Sequence, residues 1–166
     1  RLGALVQISA FAQSTDTAGE ILADLVHLPL PEKCRFTGNA TAQLSLIGPG
    51  TWLLSDDDNA LPNAATLRTA LRGHATVVDL SHARTAFRLS GPAAIRTLAK
   101  FCSLDLAGSA FPTGSATNTR LGHIGMTLAR RDDMPTFEIL VYRGYAEHAF
   151  EALVESGAEF GLEIAG

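Results

Sequence analysis

The sequence has few of the residues that build metal sites and disulfide frameworks. Its two cysteines, Cys34 and Cys102, are far apart and form no C-x-x-C pair. A disulfide framework, a zinc site and an iron–sulfur site are therefore not expected, and a reducing, cytoplasmic setting is favoured. The five histidines show no H-x-x-x-H or H-E-x-x-H spacing, so no metal site is predicted.

Positive charge and long apolar runs are also scarce. Thirteen Lys and Arg residues stand against seventeen Asp and Glu residues, which gives a formal net charge of −4. Without a basic patch, the chain is not expected to bind nucleic acid. No apolar run approaches the length of a membrane span and no signal peptide opens the sequence, so no membrane association is expected.

Nucleotide-binding motifs are missing as well. The Gly48-Pro49-Gly50 turn matches neither G-x-G-x-x-G nor G-x-x-x-x-G-K-[ST], so no flavin, nicotinamide or ATP site is predicted. The Asp56-Asp57-Asp58 run lacks the glycine and the final Glu of a calcium loop. We therefore expect a chain that binds no cofactor of its own.

The composition that remains is that of a globular protein with a real core. Of 166 residues, 46% are hydrophobic and 18% are charged. This length suits a single compact domain over 1–166, with two possible lobes at 1–82 and 83–166.

The first half alternates strand and helix patterns. Strands are predicted at 4–11, 44–47, 52–55 and 76–80, and a helix at 64–71. The capping-box spacing of Thr17 and Glu20 predicts the start of another helix, which the prolines at 29 and 31 end. This order is β-α-β-β-α-β.

The second half follows a similar order. Strands are predicted at 85–90, 115–121, 124–129 and 137–142, and helices from Pro92 and over 145–156. The alternation of Phe160, Leu162 and Ile164 predicts a final strand. The sequence therefore predicts an α+β fold of two fused ferredoxin-like (βαββαβ) lobes.

Asp79, Ser81 and His82 are residue types of a hydrolase triad. Triads are defined by geometry across a fold, and no G-x-S-x-G elbow is present. The pattern favours a polar turn whose Ser and Asp side chains bind backbone donors, and no catalytic residue is predicted. The three residues remain candidates for binding a ligand or a partner.

Arg84, Arg88 and Arg120 form a second candidate group. If they converge, they could bind a carboxylate or a phosphate. The alternative is pairing with local acidic residues or with a partner subunit, because arginine is common at interfaces.

Four groups of short motifs occur in a characteristic order. They are Gly48-Pro49-x-x-Trp52-Leu53-Leu54, the stretch from Asp79 to Pro92 with Leu104-Asp105-Leu106, Phe111-Pro112 through Thr119-Arg120-Leu121, and Phe137-Glu138 with Val141 and Arg143. Together they resemble the gamma subunits of heterotetrameric sarcosine oxidases, relatives of the glycine-cleavage T-protein fold. The resemblance covers most of the chain from Leu44 onward.

The resemblance implies a T-protein-like folate-binding fold and an accessory, non-catalytic subunit. The whole assembly would oxidatively demethylate sarcosine to glycine. The implied partners are the alpha, beta and delta subunits, chiefly the folate-binding part of alpha. FAD, FMN, NAD and tetrahydrofolate would be bound by those other subunits.

The same resemblance carries an alternative, a folate-binding aminomethyltransferase-like protein of one-carbon metabolism. Arg84, Arg88 and Arg120 would then hold the glutamate tail of folate. In folate-processing relatives a carboxylate follows a glycine-containing hairpin, whereas Gly122 to Leu128 contains no Asp or Glu. The K-G-C-Y-x-G-Q-E signature of another folate-binding branch is also missing. A further possibility is an interaction domain of another amine-oxidising complex.

Overall fold

The computed structural model describes residues 3–39 and 41–165. The chain divides into two units, Arg1–Ala83 and Arg84–Gly166. Each unit has an antiparallel β-sheet and α-helices that pack on one face of it. The predicted α+β fold class is confirmed.

The first unit contains a five-stranded sheet with the strand order β2-β3-β4-β1-β5. Its strands are β1 Ala4–Ala10, β2 Phe36–Gly38, β3 Ala42–Gly48, β4 Thr51–Asp56 and β5 Ala75–Asp79, and its helices are α1 Thr15–Val26 and α2 Ala64–Ala70. Apart from the short β2, the elements follow the predicted β-α-β-β-α-β order, and β5 returns to pair with β1.

The core of the first unit lies between this sheet and its two helices. Ile8 and Leu54, from the central strands, and Leu22 and Leu67, from the helices, are all buried. Residues of a strand alternate between its faces, so every second side chain of β1 enters this core. Burying a side chain of this size contributes about 1.5–3 kcal/mol.

The predicted start of the first helix is wrong. A 3-10 turn, Ala12–Ser14, runs directly into α1 at Thr15, so Thr17 lies inside the helix and does not cap it. The helix ends as predicted before the prolines, and His27 adopts a left-handed conformation at its end, with φ 53°.

The second unit contains a four-stranded sheet with the strand order β6-β9-β8-β7. Its strands are β6 Arg84–Ser90, β7 Ala116–Leu121, β8 Ile124–Asp132 and β9 Thr136–Tyr142, and its helices are α3 Ala94–Ala99 and α4 Ala146–Gly157. Its core is equally well buried: Phe137 and Ile139 from β9 and Leu98 from α3 are inaccessible to solvent.

The predicted final strand at Phe160–Ile164 is not formed. A 3-10 turn ends at Phe160, and residues 161–165 have no regular structure. The Phe160 ring lies under the Arg96 guanidinium, 4.4 Å from its centroid, and Leu162 packs on Gly157. These apolar side chains contact the helices of the unit, so they do not enter a sheet.

Within the described part of the chain, no helix has both the length and the apolar character that a membrane span needs.

Candidate functional site

The turn after β5 is built by Asp79 and Ser81. The Ser81 backbone N–H and the Ser81 hydroxyl both donate to Oδ1 of Asp79, at 2.9 and 2.6 Å. The same hydroxyl accepts a hydrogen bond from the Leu5 backbone N–H at 3.0 Å. The turn thus ties the end of β5 to the start of β1.

These hydrogen bonds make the turn a closed network. The hydrogen bond from the Ser81 side chain holds the pKa of Asp79 below its usual value, with smaller contributions from the Ser81 backbone and from His82 and Arg68. The Ser81 proton is directed to a carboxylate that stays ionised, and its oxygen is engaged by a backbone donor. The polar-turn interpretation of Asp79 and Ser81 is confirmed.

The three candidate arginines do not converge. Arg84 and Arg88 lie on one face of β6, about 13 Å apart along the strand. Arg120 lies on β7, at the opposite edge of the sheet, which is about 14 Å away across three strand spacings. The sequence could not have shown this, because the strand order depends on tertiary pairing.

Arg84 stacks on an aromatic ring. Its register partner across the sheet is Tyr142, and its guanidinium carbon lies 3.6 Å from the centroid of that ring. Burial lowers the pKa of Arg84 from its usual value, but an arginine remains charged at neutral pH. The result is a half-buried cation held face-down on tyrosine.

Arg88 instead lies near a carboxylate that a second arginine binds, an arrangement that the sequence analysis missed. Glu138 accepts hydrogen bonds from Nε and Nη2 of Arg131, at 3.1 and 2.5 Å. Nη2 of Arg88 lies 3.9 Å from the same carboxylate. The opposite charges of Arg131 and Glu138 were visible in the sequence, but the β8–β9 register that joins them was not.

The stretch from Gly122 to Leu128 covers the β7–β8 turn and the first half of β8. It offers no carboxylate for a pterin. The first acidic residue of β8 is Asp132, at the end of the strand. Hydrogen bonds, first from the Thr136 side chain and then from the Met134 and Thr136 backbone, hold the pKa of Asp132 below its usual value, so this carboxylate belongs to a turn. The residues present do not fit the folate-processing pattern.

No metal centre is formed by the described residues, which contain no group of three His, Cys, Asp or Glu side chains able to hold an ion. An open groove beside α2 and β5 is lined by Arg68, Arg72 and Thr76 among others. There Nη2 of Arg68 donates to the Val77 carbonyl at 3.3 Å, which caps part of the outer edge of β5.

Comparison with known proteins agrees with this architecture. The family model described as GCVT N-terminal domain matches residues 9–166. A protein named sarcosine oxidase subunit gamma, from Corynebacterium sp. (strain P-1), is 32% identical over 86% of this chain and 70% of its own length. Its counterpart from Corynebacterium sp. (strain U-96) is 34% identical over 69% of this chain and 55% of its own length.

Two solved structures are similar to this chain. A chain of the heterotetrameric sarcosine oxidase from Corynebacterium sp. U-96, in complex with pyrrole 2-carboxylate, matches with a TM-score of 0.84 and 28% identity, over 98% of this chain and 83% of that one. The aminomethyltransferase T of the glycine cleavage system from Bartonella henselae matches with a TM-score of 0.64 and 20% identity, over 91% of this chain and 43% of that one. The second match shows a shared fold.

Proposed function

Because the chain belongs to the GCVT N-terminal domain family and, within it, to the sarcosine oxidase gamma subunits, we propose that it is one subunit of a heterotetrameric sarcosine oxidase. The observation that carries this proposal is the similarity to a chain of such an enzyme over 98% of the sequence. The assembly would oxidatively demethylate sarcosine to glycine, in the cytoplasm.

The role of this chain in the assembly is accessory. In support, the Ser81 hydroxyl is bonded to Asp79 and to the Leu5 backbone N–H within a structural turn, and the stretch from Gly122 to Leu128 lacks a carboxylate. The flavins, NAD and tetrahydrofolate of the alpha, beta and delta subunits would supply the redox and one-carbon chemistry. This chain would dock chiefly on the folate-binding part of alpha and stabilise the assembly.

Coexpression tests this proposal. The chain is produced with the alpha, beta and delta subunits of the same organism, and size-exclusion chromatography is combined with an assay of sarcosine oxidation. We expect one active complex that contains this chain, and a less stable preparation when the chain is omitted. If the other three subunits assemble and keep their full stability and activity without it, the accessory role is wrong.

A second candidate is a folate-binding, aminomethyltransferase-like function in one-carbon metabolism, which the family match and the fold shared with aminomethyltransferase T favour. Arg120 lies at the opposite edge of the sheet from Arg84 and Arg88, which counts against joint binding of the glutamate tail of folate by the three arginines. Calorimetric titration of the isolated chain with tetrahydrofolate separates the two functions. Saturable binding that Arg84→Gln and Arg120→Gln both weaken would support this second candidate.

A further inference from the structure

The outer edge of β6 has no neighbouring strand in the part of the chain that the structure describes. β6 pairs with β9 on one side, over the full length Arg84–Ser90. In the first unit the corresponding strand, β1, lies between β4 and β5. An unpaired row of backbone N–H and C=O groups is a template for another extended segment.

On one face of the sheet, this edge carries Arg84, whose guanidinium is already positioned to bind a carboxylate. Stacking on Tyr142 occupies one face of the Arg84 guanidinium and leaves the N–H donors in its plane available. Among the described residues, no oxygen accepts a hydrogen bond from them. A half-buried guanidinium that is already oriented loses little conformational entropy when two of its N–H groups bind a carboxylate.

On the opposite face of the sheet, this edge carries aromatic side chains. Phe87 and Phe150 stack with ring centroids 6.2 Å apart, and Phe150 is 40% exposed although it is a large apolar residue. Tyr142, on the same face as Arg84, is 49% exposed. Aromatic residues and arginine are the types that are enriched at protein interfaces and that carry most of their binding energy.

Arg88 differs from Arg84. Its side chain is 63% exposed and lies near Glu138, so its charge is already partly balanced. An exposed charge of this kind on an edge strand discourages pairing with unrelated chains. Arg84 therefore favours an acidic partner at this edge, while Arg88 disfavours nonspecific strand pairing.

We propose that the β6 edge surface, formed by Arg84, Phe87, Arg88, Tyr142 and Phe150, binds an extended acidic segment of a partner subunit. The segment adds to β6 as a strand and places an Asp or Glu carboxylate on Arg84. The choice of occupant follows from charge complementarity with a guanidinium that has no acceptor of its own among the described residues. This inference rests on the proposed function, because it names the surface through which the chain enters the complex.

The chain's own segment after α4 is the competing occupant. Phe160 lies under Arg96, and Leu162 packs on Gly157, so these two apolar side chains contact the helices. An occupant from another chain is consistent with this arrangement.

Crosslinking in the assembled complex identifies the occupant. A photoreactive p-benzoylphenylalanine replaces Arg88 in the full chain, which is coexpressed with the other three subunits, and the crosslinked peptides are sequenced by mass spectrometry. We expect one major peptide from another subunit, containing an Asp or Glu. A crosslink to the segment of the same chain that follows α4 overturns the proposal, and so does an assembled complex without any intersubunit product.

Substitution of the anchor gives an independent test. Arg84→Gln is expected to raise the apparent dissociation constant of this chain, measured by mass photometry on dilution of the complex, by about ten- to a hundredfold. Arg84→Lys keeps the charge but lacks the fork, so an intermediate value is expected. The matched control is Arg120→Gln at the opposite edge of the sheet, with a change below about threefold. Circular dichroism melting identifies any variant that fails to fold, and in that case the crosslink decides.

The outcomes separate this inference from the proposed function. If the unsubstituted chain forms no complex with the other subunits, both fail. If it forms the complex, but Arg84→Gln dissociates like the unsubstituted chain, the inference alone fails. Loss of tetrahydrofolate binding in Arg84→Gln with unchanged assembly would assign Arg84 to a small-molecule carboxylate and would also overturn the inference.

Discussion

The strands β1 and β6 open the two units in the same way, yet they end up in different surroundings. Apart from the short β2 of the first unit, each is followed by a helix, a β-hairpin and a second helix. In the first unit the chain returns as β5 and pairs with β1, and Val77 enters the core opposite Ile8. In the second unit Phe160 and Leu162, which follow α4, pack on the helices, and β6 keeps one strand neighbour among the described residues.

The polar groups beside these strands differ in the same sense. Asp79 and Ser81 satisfy each other and the Leu5 backbone N–H, so their turn is structural. Arg84 is oriented by Tyr142 but has no acceptor within the described residues. A polar network that is complete holds a fold together, whereas an oriented group without a partner is suited to binding.

The largest expected effect tests whether the two cores are separate. Phe137 is fully buried in the second core, so Phe137→Ala should lower the free energy of unfolding by about 3–5 kcal/mol, measured by urea denaturation. The control is Phe101→Ala, because Phe101 is 37% exposed and should cost much less. If hydrogen exchange in Phe137→Ala accelerates equally in β1–β5 and β6–β9, the contrast between two separate cores does not hold.

Hydrogen exchange of the unsubstituted chain measures the open edge directly. The amides of β1 are flanked by strands on both sides, whereas those on the outer edge of β6 are not. We expect every second amide of β6 to exchange about a hundredfold or more faster than the amides of β1, by NMR. Uniform protection along Arg84–Ser90 would show that the edge is covered in the isolated chain.

Ser81→Ala probes the closed edge. It removes the acceptor of the Leu5 backbone N–H, and Leu5 is fully buried, so we expect a loss of about 1–3 kcal/mol in thermal unfolding. Ser90→Ala, at the exposed end of β6, is the matched control and should stay within about 0.5 kcal/mol. Equal effects of the two substitutions would mean that the turn does not stabilise β5 on β1.

The smallest effect is a pH dependence at the same turn. The pKa of Asp79 is lower in the folded state than in the unfolded state, and the main cause is the hydrogen bond that the Ser81 side chain donates to it. Its contribution to stability is therefore complete above the ordinary aspartate pKa of about 4, and it is lost as the pH falls through the folded-state value. The stability difference between Asp79→Asn and the unsubstituted chain, from urea unfolding at several pH values, should shrink with falling pH. A difference that grows on acidification would contradict the proposed bonding.

Most elements could be predicted because their signals are local. The alternating strands, the Gly48-Pro49-Gly50 turn and the proline stop after α1 depend on neighbouring residues, and they lie within a few residues of their predicted bounds. The start of α1 was missed because a 3-10 turn extends the helix beyond the capping box. The short β2 was missed because three residues carry too little pattern.

The candidate site was less predictable. The turn formed by Asp79 and Ser81 could be inferred because its bonds join residues two positions apart. The stacking of Arg84 on Tyr142 and the pairing of Arg131 with Glu138 depend on strand register, which joins distant parts of the chain.

The sequence by itself determined the α+β character, most of the alternation of strands and helices, and the family resemblance, because periodicity and short motifs act over a few residues. The tertiary structure decided which strand edge is closed, that Arg120 lies apart from Arg84 and Arg88, and that Phe160 and Leu162 pack on helices. The physical reason is that alternating apolar residues can be buried equally well against a strand or against a helix. Competition between long-range contacts selects one of the two.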